Sequence, residues 1–142
     1  MTPVLRLWFA RLLISAVLLM NVQCALFFIV APADYAPGFE LSGAVGEATV
    51  RGMGVLFLMW NVPYFVATLD PLKHRLSHYE ALAMQAMGVA GESWILWRLP
   101  AVHPAATATI ARFVVFDALG LLALVIAALL AHYHFPRQVL PL

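Results

Sequence analysis

Five charged side chains, Glu47, Arg51, Glu92, Arg112 and Asp117, stand inside long stretches that are otherwise almost free of charge. A charge at bilayer depth is costly and usually faces a protein interior or a watery cavity. Arg51, Glu92 and Arg112 each lie six residues inside an expected helix end, at Val45, Arg98 and Ala106. At about 1.5 Å per residue, all three fall roughly 9 Å beneath the outer face. Glu47 sits one turn above Arg51, at the i,i+4 spacing that lets two side chains meet. Asp117 lies deeper, and Asn21 of the first helix has a compatible depth. Two cations against three acids nearly balance, so one cluster is expected rather than five isolated charges. Such a cluster has two uses. It can be an interhelical salt-bridge network that fixes register. Alternatively it lines an outward-facing pocket, where the arginines suit a carboxylate, phosphate or quinone carbonyl and Glu92 or Asp117 exchanges protons.

Other chemistry-bearing residues point to less. His74 and His78 are four apart, and His132 and His134 end the last helix on the same side. Their companions are Asp70 and Glu80, and Glu80 belongs to a Ser77-x-x-Glu80 capping box, so no metal site is expected. No histidine lies deep within a span, which argues against bis-histidine haem. The single cysteine, Cys24, excludes an intrachain disulfide and a thiolate zinc cluster, and reads as a small buried hydrophobe. Asn61 beside Pro63 is expected to satisfy backbone released by the proline. Gly52, Gly54, Gly88 and Gly91 read as close-packing positions between helices. There is no phosphate-cradling glycine loop, no Ser-His-Asp order and no His-Glu-x-x-His motif. No nucleophile–base pair is visible, so enzymatic turnover is not expected.

The elements that must position these residues are membrane helices. Of 142 residues, 64% are hydrophobic and 11% charged, and the mean hydropathy is +0.92. A soluble domain carries about 25% charged residues, so a soluble globule, a disordered chain and a nucleic-acid binder are excluded. A span needs about 20 apolar residues. Four are expected, over about 4–31, 44–69, 78–98 and 105–133, within a single membrane domain covering 1–142. The predicted fold class is all-α, an integral membrane antiparallel four-helix bundle. Thr2-Pro3 and His103-Pro104 place proline at a helix start, where its missing N–H costs nothing. Asp70-Pro71 closes the second helix. Pro32 and Pro37-Gly38 bend the first connection, and Phe39 and Leu41 are placed to fold it back onto the bundle. The first apolar stretch is too long for a cleaved signal peptide, and Gln23 before Cys24 does not suit a lipoprotein site.

Orientation follows from the basic residues. Arg6, Arg11, Lys73, Arg75 and Arg137 fall on one side, and Arg98 falls on the other with Asp34 and Glu40. This asymmetry predicts both termini cytoplasmic. Trp8, Tyr64, Tyr79 and Tyr133 are expected near the cytoplasmic interface, with Tyr35, Trp94 and Trp97 near the outer one. A prokaryotic cytoplasmic membrane is the expected location.

Four short-looped helices with both ends inside, with the pair Arg51-Gly52 opening the second helix, resemble the DoxX-like group of small membrane proteins. The resemblance implies a quinone or redox partner. From the residues, the expected function is a structural or accessory subunit, or a homo-oligomer, built around the buried charges. The alternative is binding of a small amphipathic or anionic ligand, a quinone or a lipid headgroup. No cofactor is required by the pattern, and the bilayer is the partner that composition dictates.

Overall fold

The computed structural model describes residues 2–132, and all of its regular structure is helical. Helix α1 spans Pro3–Val30, and a short α2, Pro32–Tyr35, runs into a 3-10 turn at Ala36–Phe39. Then come α3 (Gly43–Trp60), α4 (Val62–Leu69), α5 (Arg75–Arg98) and α6 (Pro104–His132). Three segments are long and apolar enough to cross a membrane: Pro3–Val30, Gly43–Leu69 and Pro104–His132. The segment expected as the third span forms helix α5, 24 residues long, which is not among these three. Ser77, His78, Glu80, Gln85, Glu92 and Ser93 make it more polar than the others.

The helix ends follow local chemistry. Thr2 caps α1, its hydroxyl accepting from Leu5 N at 3.4 Å. Pro104 opens α6. Asp70 leaves helical geometry (φ −159°, ψ 101°), and its Oδ1 accepts from Leu72 N and Lys73 N at 3.0 and 3.1 Å. The Ser77 capping box does not form. Helix α5 begins earlier, at Arg75 behind His74, and has no side-chain cap. Arg51-Gly52 falls within α3 rather than at its start. The end expected at Tyr133, with His134 and Arg137, lies outside the described residues.

The second span is broken between α3 and α4. Pro63 has no N–H to continue the ladder, and Asn61 N turns to Leu58 O at 3.1 Å. Phe57 O is thereby released, and Asn61 Nδ2 donates to it at 2.6 Å. The expected repair of a proline break is therefore made by Asn61.

Helix α1 packs on α3, α4 and α6, while α5 packs on α6 and α4. Small residues dominate the crossings. Ala10, Ile14 and Val17 of α1 meet Tyr64 and Ala67 of α4, Ala81 of α5, and Leu124, Ala127 and Ala131 of α6. A Cβ on Gly54 would stand 2.7 Å from Ala25 O, so α1 and α3 approach this closely only because the residue is glycine. Gly52 and Gly91 have nothing within 4 Å of a Cβ and are not packing positions.

A second cluster joins the connection to the helices. Phe28 meets Tyr35, Phe39, Phe57 and Phe113 at ring separations of 5.0–6.1 Å. Phe39 and Leu41 do fold the connection inward. Glu40, at φ 57°, ends the 3-10 turn in left-handed geometry. Its Oε1 accepts from Ala105 N and Ala106 N (3.2 and 3.4 Å), and its Oε2 lies 2.6 Å from His103 Nδ1. The carboxylate thus caps α6 from a distant loop. The His103 hydrogen bond is the main influence holding the Glu40 carboxyl below its ordinary value, with the two backbone donors assisting. Desolvation opposes them.

Candidate functional site

The expected Arg51–Glu92–Arg112 layer does not form. Among the described residues the ion pair is His103–Glu40, at the surface. Arg51 is exposed on α3, and its Nε donates to Ile29 O at 3.2 Å. Glu47, half-buried on the same helix, makes no ion pair with it. Depth was matched, but α3 packs chiefly on α1 while Glu92 rides on α5, against α6 and α4. Arg112 and Asp117 share α6 and are five residues apart. At about 100° per residue they point roughly 140° away from each other.

The side chains instead divide between two cavities. The inner one, of about 80 Å³, is lined by Asn21, Glu92 and Asp117 together with Asn61, Tyr64, Gln85 and Gly88. Cys24, Met84, Phe57, Trp60, Phe113 and Phe116 complete its walls, and no lysine or arginine among the described residues does. The outer cavity, of about 400 Å³, is lined by Arg112, Asp34, Thr109 and the rings of Phe28, Tyr35 and Phe39. Cys24, Phe113 and Phe116 line both and form the shared wall.

Within the inner cavity a directed chain of hydrogen bonds crosses three helices. Tyr64 Oη, 3% exposed, donates to Gln85 Oε1 at 2.6 Å. Gln85 Nε2 donates to Asp117 Oδ1 at 2.9 Å and to Asp117 O at 3.3 Å. This arrangement needs glycine on both sides. A Cβ on Gly88 would collide with Asp117 Oδ2, and one on Gly120 would stand 2.8 Å from Gln85 Nε2. Tyr64 was expected at the cytoplasmic interface. It is buried where α4 packs on α1 and α5, and its hydroxyl finds a buried amide there. Trp8, Trp94 and Trp97 are exposed.

Two polar atoms at this cavity have no partner. Asn61 Oδ1 and Glu92 Oε2 are both buried and accept nothing. Asn61 itself is 5% exposed. Leaving a buried acceptor without a donor costs about 1–3 kcal/mol, and neither Asn21 nor Trp60, the donor-bearing side chains that line the same cavity, meets that need.

At the other end of α5 the histidines form a relay. His78 Nε2 lies 3.2 Å from Leu124 O, which only accepts, so Nε2 carries the proton. Nδ1 of the neutral ring then accepts from His132 Nε2 at 3.3 Å. His132 Nδ1 is buried without a partner. The sequence placed these residues at one interface but did not show that they pair. No cluster of three histidine, cysteine or acidic side chains among the described residues is arranged to hold a metal.

Gln85 and Tyr64 are the site residues that reasoning from charge alone overlooks. The signal was available, since an amide inside a span demands partners as a charge does. No family model, curated protein or solved structure matches the chain.

Proposed function

We propose that the protein is a ligand-binding membrane protein of four antiparallel spans, with both termini cytoplasmic, whose outer cavity takes the polar head of a small amphipathic molecule. The single observation that carries this reading is Arg112 at the rim of a 400 Å³ cavity walled by aromatic rings. A guanidinium presents several donors in a planar fork, which suits the carbonyl of a quinone or the phosphate of a lipid headgroup. Flat rings such as Phe28, Phe39 and Phe113 suit a planar or acyl body beside it. A quinone accords with the partner implied by the DoxX-like resemblance, which stays part of the proposal. Two features support four spans. Helix α5 is long enough and packs between α4 and α6, and the basic residues Arg6, Arg11, Lys73 and Arg75 belong to one side.

Native mass spectrometry of tag-free protein released from mild detergent tests the ligand. A retained quinone or lipid adduct is expected in the wild type and its loss in Arg112→Ala. A bare wild-type protein, or an adduct indifferent to Arg112→Ala, refutes the reading. Accessibility labelling of Glu40→Cys and Lys73→Cys, each in a Cys24→Ala background, tests the topology. The two should react from opposite sides of the membrane. A second reading, an accessory subunit or homo-oligomer, is favoured by one observation. Arg51 is exposed at span depth and pairs with no carboxylate among the described residues, and a neighbouring chain would supply one.

A further inference from the structure

The inner cavity differs chemically from the outer one. Two of its acceptors, Glu92 Oε2 and Asn61 Oδ1, are buried without a partner, and Asp117 lines it beside them; the donor-bearing side chains Asn21 and Trp60 line the same cavity without reaching those two atoms. The Asn61 oxygen stands apart from the acidic pair, because it belongs to a neutral side chain that is 5% exposed and whose amide nitrogen is already committed to Phe57 O. A neutral buried acceptor with no donor is not explained by repulsion between acids or by protonation of one of them. It calls for a donor from outside the chain. No basic side chain among the described residues lines the cavity. About 80 Å³ is room for several water-sized groups. The lining also includes Met84, Cys24 and the aromatic residues Phe57, Trp60, Phe113 and Phe116, and aromatic rings attract a cation.

We infer that the inner cavity is a binding site for a small primary ammonium ion, whose three N–H groups meet Glu92, Asp117 and Asn61 while its short alkyl part lies against the rings. A primary ammonium matches both halves of the lining. It carries three donors and no acceptor, and its positive charge offsets the buried carboxylates. A quaternary ammonium has the charge without the donors. A neutral alcohol has a donor without the charge. Gly88 sets the position of the site, since a side chain there would fill the space in which Asp117 Oδ2 sits.

The inference is independent of the outer cavity, and wild-type protein tests it without any variant. Calorimetric titration of the full chain in a non-ionic detergent at neutral pH compares propylammonium, tetramethylammonium and 1-propanol. Saturable propylammonium binding is expected, at least about tenfold tighter than either of the others, the size of one hydrogen bond to a charged group. Equal binding of propanol would mean a merely polar, water-filled cavity and would overturn the inference. Equal binding of tetramethylammonium would overturn the role of the three acceptors, and absence of saturable binding would overturn the whole. Asn61→Leu should weaken propylammonium about tenfold with helix content retained, and unchanged affinity there would also refute it. Glu92 does not line the outer cavity, so loss of the quinone or lipid adduct and loss of ammonium binding are separate failures.

Discussion

Gly88→Ala places a methyl group where Asp117 Oδ2 stands. Either α5 and α6 separate or the Asp117 carboxylate turns away. Separation is overpacking, which costs about 1–3 kcal/mol. Turning away breaks the 2.9 Å bond from Gln85 Nε2, and a hydrogen bond to a carboxylate contributes about 1.5–3 kcal/mol. Both routes lead to a loss of about 2 kcal/mol. Gly91→Ala, three residues along the same helix, is the matched control because a Cβ there meets nothing within 4 Å. It should gain about 0.5–1 kcal/mol from reduced backbone entropy in the unfolded chain. Gly88 lies in the same helix, so that gain is common to both variants, and they should differ by the contact loss alone, about 1–3 kcal/mol. Titration with sodium dodecyl sulfate in mixed micelles, followed by far-ultraviolet circular dichroism, reads this as a shift in midpoint. Asp117→Ala removes the obstructing oxygen, so the double variant with Gly88→Ala should lose less than the sum of the two single losses. If Gly88→Ala unfolds at the same detergent fraction as Gly91→Ala, the close approach of α5 to Asp117 is wrong.

Tyr64→Phe should cost about 1–3 kcal/mol in the same titration, because Gln85 Oε1 is left buried without its donor; a neutral result would show that Tyr64 does not feed the chain to Asp117. The Glu40 cap should depend on pH with a definite sign. Its folded carboxyl lies below its ordinary value of 4.5, so its contribution is complete above that pH and fades as pH falls through the lower folded value. The amide resonances of Ala105 and Ala106 should shift together in that acid window and stay still in Glu40→Gln. An identical titration in the variant would refute the cap.

The sequence makes helices and their ends legible because both are local. Apolar runs, Thr2-Pro3, Asp70-Pro71 and Pro104 each act within a few residues of where they sit, and the structure obeys them. The failure at Ser77 is also local in origin. His74 and Arg75 begin the helix one turn earlier, which leaves Ser77 inside it, where its hydroxyl caps nothing. Depth along a helix can likewise be counted, and that count motivated the layer of Arg51, Glu92 and Arg112. Which helices are neighbours, and which way each side chain faces, cannot be counted from one helix at a time. Arg51 therefore bonds to the backbone of α1 rather than to Glu92. The histidine pair escaped for the same reason, since His78 and His132 are 54 residues apart and meet only because α5 lies along α6.

The two cavities also explain how one small chain keeps Glu92 and Asp117 apart from Arg112 without pairing them. Ion pairing would have satisfied Glu92 and Arg112 at once, and removing one partner of a buried pair typically costs about 3–5 kcal/mol. The fold avoids that arrangement by turning Arg112 outward over the 400 Å³ cavity and leaving Glu92 and Asp117 in the inner one, with Phe113 and Phe116 between. The two cavities then differ in their chemistry. The outer one holds Arg112 together with Asp34 and Thr109, and the inner one holds the acids Glu92 and Asp117 with Asn61. A network whose purpose was only to hold helices together would gain by satisfying those groups internally, as Tyr64, Gln85 and Asp117 Oδ1 do a few ångströms away. The same helices thus contain a satisfied relay for rigidity and, beside it, atoms left without partners. That contrast is the physical ground for reading the second set as facing ligands.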